Sequence, residues 1–196
     1  MTSLIDPEPS SAELHLFHRI YRKSVELMSK DGSIQPIAFF RAGDHPRLQG
    51  PSKGMIIPVQ MDMPGNDHGK DGLAQLLRHL AKDLDADLVL LVLESWLVKP
   101  TPAEAQYIQQ TGEFAVRPSQ HPDRMEIVLF TMQAKNGDSW STWVEILRDS
   151  NNKPSIPSTP PKLEYLKCDG RFGNLFEQEG GDGCGRTKTT YKASCN

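Results

Sequence analysis

Cysteine is absent from most of the chain, and so are long hydrophobic runs. The three cysteines, Cys168, Cys184 and Cys195, lie near the end of the 196 residues, so the preceding part folds without disulfides, as is typical of reducing compartments. The longest aliphatic run, 88–93, covers six residues, whereas a membrane-spanning helix needs about 18 or more. The first residues also lack the basic and apolar segments of a secretory signal. We therefore predict a cytoplasmic protein without a membrane association.

The chain also lacks a large excess of either positive or negative charge. The chain has 22 Lys and Arg residues and 25 Asp and Glu residues, which gives a net charge of −3 at pH 7. Proteins that bind nucleic acids usually carry a clear excess of basic residues on the binding domain. The balance of charges therefore argues against a nucleic-acid partner.

Several short motifs that carry catalysis are missing from the sequence. It contains no glycine-rich phosphate or dinucleotide loop, no His-Glu-x-x-His zinc motif and no Gly-x-Ser-x-Gly nucleophile turn. All cysteines lie late in the chain, where a cysteine nucleophile is not expected, and their spacing matches no zinc pattern. The sequence predicts neither a cofactor nor a metal site, and these absences favour a non-enzymatic protein.

The strongest pattern that is present is an amphipathic helix followed by a buried strand. The helix is predicted over 71–85, after a turn in which Asp67 or Asp71 could be its cap, and its leucines recur at helical spacing: Leu73, Leu76, Leu77, Leu80 and Leu84. The run 88–93 has no polar alternation, which is typical of a strand covered on both faces. We expect the helix to cover one face of that strand.

Two more helices and two strands are predicted from local signals. A capping box formed by Ser10 and Glu13 starts a helix over 11–30, and Thr101 with the following proline starts a short helical insertion. Apolar runs at 37–40 and 55–61 predict strands, and Pro58 places the second of them at a sheet edge or a bulge, because proline cannot donate a ladder hydrogen bond.

A hairpin is predicted around Asn136 and Gly137. Strand-like runs at 125–133 and 140–147 flank this pair, and Asn-Gly between two such runs favours a tight turn. Trp140 and Trp143 then lie on opposite faces of the second strand, so one is predicted in the core and the other near the surface.

The order helix, strand, strand, helix, three strands predicts an α+β fold, with a mostly antiparallel sheet and its helices on one face. The composition divides the chain into a frayed N-terminus at 1–9, a single domain at 10–149, a Pro/Ser/Asn linker at 150–161, a possible extra strand within 162–179 and a flexible tail at 180–196.

Polar residues at the end of the buried strand suggest one possible active site. Glu94 follows the aliphatic run, and His121, Asp123 and Arg124 lie in a loop before the hairpin. If these four side chains converge, they could support acid–base chemistry in a small hydrolase or a nucleotide-handling enzyme. The alternative is structural: Glu94 pairs with an Arg or Lys at the rim of the sheet, and the loop forms a turn stiffened by prolines.

The interpretation we favour is a non-enzymatic protein-binding or regulatory module. Trp96, Trp140 and Trp143 are its candidate binding residues, since aromatic side chains are enriched at protein interfaces. The expected partner is another protein or a second copy of the chain.

Two segments resemble motifs of a group of small uncharacterised bacterial and phage proteins. These segments are Glu94-Ser95-Trp96 at a strand end and Arg117-Pro118-Ser119-Gln120-His121-Pro122-Asp123-Arg124 before a hairpin. The resemblance extends roughly from Leu73 to Asp149 and implies the α+β order of elements and a meeting of the two motifs in space. The group has no assigned activity, so it implies no reaction.

Overall fold

A single antiparallel sheet forms the middle layer of the protein. The computed structural model describes residues 6–43, 53–112, 114–166 and 172–176. Its main sheet has six strands in the order β2-β1-β3-β4-β5-β8, with every neighbouring pair antiparallel. The strands are β1 Ile37–Arg41, β2 Ile56–Gln60, β3 Leu88–Leu97, β4 Met125–Ala134, β5 Ser139–Glu145 and β8 Glu164–Tyr165. Two further short strands, β6 Leu147–Arg148 and β7 Pro154–Ser155, pair with each other. The α+β class and the mostly antiparallel sheet are thus confirmed, and β8 lies within 162–179, where the sequence suggested a possible extra strand.

The described residues form three α-helices, each of which begins at a cap that local chemistry provides. Helix α1, Ser11–Asp31, has the predicted capping box and ends at Gly32, whose φ of 74° is the left-handed conformation that glycine adopts easily. Helix α3, Pro102–Thr111, starts at Thr101 as predicted. Helix α2, Asp67–Asp83, is instead capped by Asn66, whose side chain accepts the N–H of Gly69. The prediction of Asp67 or Asp71 as its cap was wrong, because the helix begins one turn earlier than the leucine pattern suggested.

The two long helices lie on opposite faces of the sheet. Side chains of β3 alternate between two separate cores. The first contains Phe17, Tyr21 and Met28 of α1 with Leu88, Leu90, Val92, Val128 and Phe130 of the sheet. The second contains Leu77 and Ala81 of α2 with Ala38, Phe40, Val89 and Leu91. The prediction that the helices share one face was therefore wrong. The physical reason is that β3 is aliphatic on both sides, so each side needs its own cover.

Pro58 lies in β2, the edge strand of the sheet among the residues that the structure describes. Pro58 is opposite Phe39 in the β1–β2 register, and Met61 donates its N–H to the carbonyl of Pro36 at 2.9 Å. Pro36 and Met61 therefore form a hydrogen-bonded pair, and hydrogen-bonded and non-hydrogen-bonded pairs alternate along an antiparallel ladder. Three positions further along, Phe39 and Pro58 form a non-hydrogen-bonded pair, so the nitrogen of Pro58 faces away from β1. The predicted edge position is confirmed, and the proline costs no bond within the sheet.

The segment predicted as a linker packs against the body. Ile156 is buried in the core beside α1, and the Tyr21 hydroxyl donates a 2.6 Å hydrogen bond to the carbonyl of Pro157. At the other end of the chain, Pro7 accepts a hydrogen bond from the Trp140 indole at 2.9 Å, although 1–9 was predicted to be frayed. Both segments are therefore attached to the core at these points.

Part of the chain after β8 returns to the α2 side of the sheet. The side chain of Gln133 donates to the carbonyl of Phe172 at 2.6 Å and accepts the N–H of Leu175 at 2.9 Å. Leu175 is fully buried there. The predicted tail at 180–196 and the three cysteines lie outside the described residues. Within the described part, no helix combines the length and the apolar composition of a membrane span.

Candidate functional site

An open groove lies where β3 ends and β4 begins. Antiparallel pairing places Trp96 opposite Glu126, and β5 continues past this point because Ile146 donates its N–H to the Glu126 carbonyl at 2.9 Å. The resulting space has a volume of about 530 Å³. We call it the strand-exit groove; the lining residues that matter below are Trp96, Arg124, Glu126, Glu145, Leu147 and Arg148.

Arg124 stacks on Trp96 within this groove. The guanidinium carbon lies 4.7 Å from the centre of the indole ring, a cation–π distance that contributes about 0.5–1 kcal/mol at an exposed site. Trp96 remains 37% exposed. Arg124 makes no ion pair with any residue in the described ranges. Arg124 is itself exposed, so the cation stays accessible beside the ring.

The other charged residues of the groove divide into a pair and a single carboxylate. Arg148 donates from Nε and Nη2 to the same oxygen of Glu126, at 3.0 and 2.5 Å. Glu145 is exposed and has no ion pair with another residue of the described structure. Leu147 is 50% exposed beside them. Strand register places Trp96, Glu126 and the stacked Arg124 on the face of the sheet that α1 covers, whereas Glu145 belongs to the opposite face.

Glu94 has a structural partner of its own. Its Oε1 accepts a 2.6 Å hydrogen bond from the backbone N–H of Ile34, just after the end of α1. The carboxylate therefore accepts a hydrogen bond from a backbone N–H group. The structural alternative had instead predicted an Arg or Lys side chain at the rim of the sheet as its partner. Glu94 connects the end of α1 to β3.

His121 is buried and uses both ring nitrogens. Nε2 lies 2.9 Å from Oε1 of Glu104 in α3, and Nδ1 accepts the N–H of Asp123 at 3.1 Å. Because Nδ1 is an acceptor, the neutral ring carries its proton on Nε2 and donates it to Glu104. In this arrangement neither nitrogen is available as a base for a substrate.

Glu104 was not among the site residues predicted from the sequence. The hydrogen bond from His121, followed by those from the Thr101 backbone and side chain, lowers the pKa of Glu104 to about 2. Glu104 therefore stays ionised well below neutral pH. The only sequence signal for it is the capping box that it forms with Thr101, since nothing local indicates a partner 17 residues away.

The four predicted catalytic residues are not joined as a group. His121 contacts the backbone of Asp123, Arg124 stacks on Trp96, and Glu94 binds Ile34. Between residues that the structure describes, no hydrogen bond or ion pair links Glu94 with the other three. The same part of the chain contains no cluster of three or more potential metal ligands.

The three candidate tryptophans lie in different environments. Trp140 is 3% exposed and packs edge-on against Tyr165, with ring centres 6.3 Å apart. Trp143, on the other face of β5, is 40% exposed and lies 6.0 Å from the ammonium of Lys99. Trp140 is therefore a core residue, while Trp96 and Trp143 are accessible near the same end of the sheet.

Comparison of the chain with protein-family models, with curated proteins and with solved structures found no match.

Proposed function

We propose that this chain is a non-enzymatic protein-binding module and that its partner docks in the strand-exit groove. The proposal rests on the exposed pair of Arg124 and Trp96, in which the guanidinium carbon lies 4.7 Å from the centre of the indole ring. Tryptophan and arginine are the residues most enriched among those that dominate binding energy at interfaces. A pair already stacked in the free protein loses little side-chain entropy on binding.

Exposed apolar surface in the groove supports the same function. Leu147 and Trp96 are each more than one third exposed, and both line one open space of about 530 Å³. Burial of apolar surface contributes about 25 cal/mol per Å², so a partner that covers these two side chains gains affinity. The neighbouring Arg148–Glu126 pair provides the polar rim that is common around such contacts.

The state of the candidate catalytic residues favours binding over catalysis. Both nitrogens of His121 are occupied, and the Glu94 carboxylate, which keeps free lone pairs, has no hydrogen bond or ion pair with His121, Asp123 or Arg124 among the contacts of the described residues. A general base needs a free lone pair within reach of the substrate. His121 instead joins α3 to the loop before β4, and Glu94 joins the end of α1 to β3.

Site-specific photo-crosslinking in the cells that make the protein tests this proposal. A photoreactive amino acid replaces Leu147 in the groove or, as the control, Leu76 on α2, which is similarly exposed at 53%. We expect discrete protein adducts from position 147 and none from position 76. Adding Trp96→Ala should remove the adducts at 147. The proposal fails if position 147 yields no adducts, or if positions 147 and 76 yield the same ones.

A further inference from the structure

We infer that the outer face of helix α1 binds the phosphate backbone of duplex DNA. This surface is separate from the strand-exit groove, so the inference goes beyond the proposed function. It rests on a concentration of cations on the side of α1 that is turned away from the sheet. The charged residues exposed on that side within 19–30 are Arg19, Arg22, Lys23, Glu26 and Lys30. We call this surface the basic face of α1.

The net charge of the whole chain hides this concentration. The chain carries −3 at pH 7, whereas the four bases and one acid of the basic face together carry +3. The acid, Glu26, lies 2.9 Å from Lys23 and pairs with it. Arg19, Arg22 and Lys30 have no ion pair with any residue that the structure describes. Three cations therefore remain available to an anionic partner.

The other acids in and before α1 do not neutralise the basic face. Glu13 is only partly exposed, and its Oε1 lies 3.7 Å from Nη2 of Arg41. Asp31, at the end of the helix, lines the cavity between α1 and β1. Asp6 and Glu8 precede the first helical turn, and eight residues of helix, about 12 Å, separate that turn from the first cation of the face. The positive charge is therefore left uncompensated along the second half of α1.

The chemistry of the basic face favours phosphates over an acidic protein or a membrane. Within the described ranges, the large apolar side chains that are more than one third exposed all lie outside α1. A protein interface usually has an apolar core. A helix that binds a membrane surface inserts its apolar side, but α1 buries that side against the sheet. Contacts with a phosphate backbone need only Arg, Lys and other polar donors.

The length and shape of the face favour a DNA duplex among nucleic acids. Arg19 and Lys30 are eleven positions apart in one helix, which corresponds to about 16 Å, or roughly five base pairs. The face exposes no Phe, Tyr or Trp on which the bases of a single strand could stack. The major groove of DNA is wide enough for an α-helix, whereas that of an RNA duplex is too narrow. We therefore expect binding that does not depend on base sequence.

Fluorescence anisotropy of a labelled 20-base-pair DNA duplex, titrated with the purified full chain, tests the inference. Three phosphate contacts predict a salt slope of about −2.7, so the affinity should fall about 40-fold between 50 and 200 mM NaCl. Arg19→Glu and Arg22→Glu should each weaken binding severalfold and reduce the slope by about one. Lys82→Glu makes the same charge change at an exposed position of α2, across the sheet, and should leave the slope unchanged.

Three results would overturn the inference. The first is no binding of the duplex at 50 mM NaCl with protein at about 100 μM, the weak end of non-specific affinities. The second is an equal loss of affinity in Lys82→Glu and Arg22→Glu, which would exclude the basic face as the site. The third is tighter binding to an RNA duplex of the same sequence, or to vesicles containing phosphatidylserine, than to DNA. Thermal unfolding of each variant confirms that these exposed substitutions leave the fold intact.

Discussion

The carboxylate of Glu104 and the imidazole of His121 lie 2.9 Å apart and join helix α3 to the loop before β4. None of the residues of α3 is buried, so the helix has little apolar packing to hold it in place. His121 itself is buried. A polar contact with one buried partner therefore positions this helix.

This contact makes part of the stability dependent on pH. The pKa of Glu104 falls from its usual value near 4.5 to about 2 in the folded chain. The contribution is therefore fully present above about pH 4.5 and is lost as the pH falls towards 2. We expect Glu104→Gln, which keeps the capping box, to lower the melting temperature at pH 7, with the difference from wild type shrinking between pH 4.5 and 2. Glu8→Gln, on the exposed N-terminal segment, is the control and should show no such trend.

Glu94 should be important for stability. Glu94→Ala leaves the N–H of Ile34 without its acceptor, and loss of a hydrogen bond to a charged group costs about 1.5–3 kcal/mol. We expect urea unfolding to show a loss of this size for Glu94→Ala. Glu94→Gln keeps an acceptor oxygen and should lose less than half as much. Equal losses in the two variants would show that the acceptor oxygen is not what matters.

Tyr21 should hold the segment around Pro157 against α1. Tyr21→Phe removes the 2.6 Å hydrogen bond to the Pro157 carbonyl and should lower the free energy of unfolding by about 0.5–1.5 kcal/mol. Limited proteolysis should then cut within 150–161 faster than in the wild type. Unchanged cleavage would mean that the buried Ile156 and the β6–β7 pairing hold the segment without this hydrogen bond.

Ionisation of the Tyr21 hydroxyl should also lower the stability of the folded chain at alkaline pH. Burial raises the pKa of the Tyr21 hydroxyl above its usual value of 10. A raised pKa stabilises the folded chain below about pH 10, and this stability is lost as the pH rises through the folded value. We expect the wild type to lose stability above pH 10 relative to Tyr21→Phe, measured by melting temperature from pH 8 to 11. Parallel profiles would contradict this.

Pro58 should keep the β2 edge from pairing with other chains. Pro58→Val adds a backbone N–H that points away from β1, at a position where the β1–β2 ladder makes no hydrogen bond. We expect faster aggregation of Pro58→Val on mild heating, followed by light scattering, with a melting temperature close to that of the wild type. Val59→Thr, a neighbouring change whose N–H faces β1, serves as the control.

Elements with a local chemical signature were predictable from sequence. The capping box of Ser10 and Glu13, the Thr101 cap and the turn around Asn136 all lie where the sequence placed them. Each depends on residues within about four positions of one another, so no tertiary information is needed. The fully aliphatic run of β3 likewise required cover on both faces, and both faces are covered.

The arrangement of those elements was decided by the tertiary structure. Hydrophobic periodicity shows that α1 and α2 each have a face to bury, but it does not say which side of the sheet each one covers. The partners of Glu94 and His121 lie 60 and 17 residues away in sequence, beyond any local pattern. Arg124 meets Trp96 only because β3 and β4 pair in one register.

By itself, the sequence determined the elements, their order and the need for a doubly covered strand, because these follow from short-range hydrogen bonding and from the burial of aliphatic side chains. Only the tertiary structure decided which polar groups became partners and which stayed exposed in the strand-exit groove. The reason is that a side chain's partner depends on strand register and on the face of the sheet, and both are settled by packing over the whole chain.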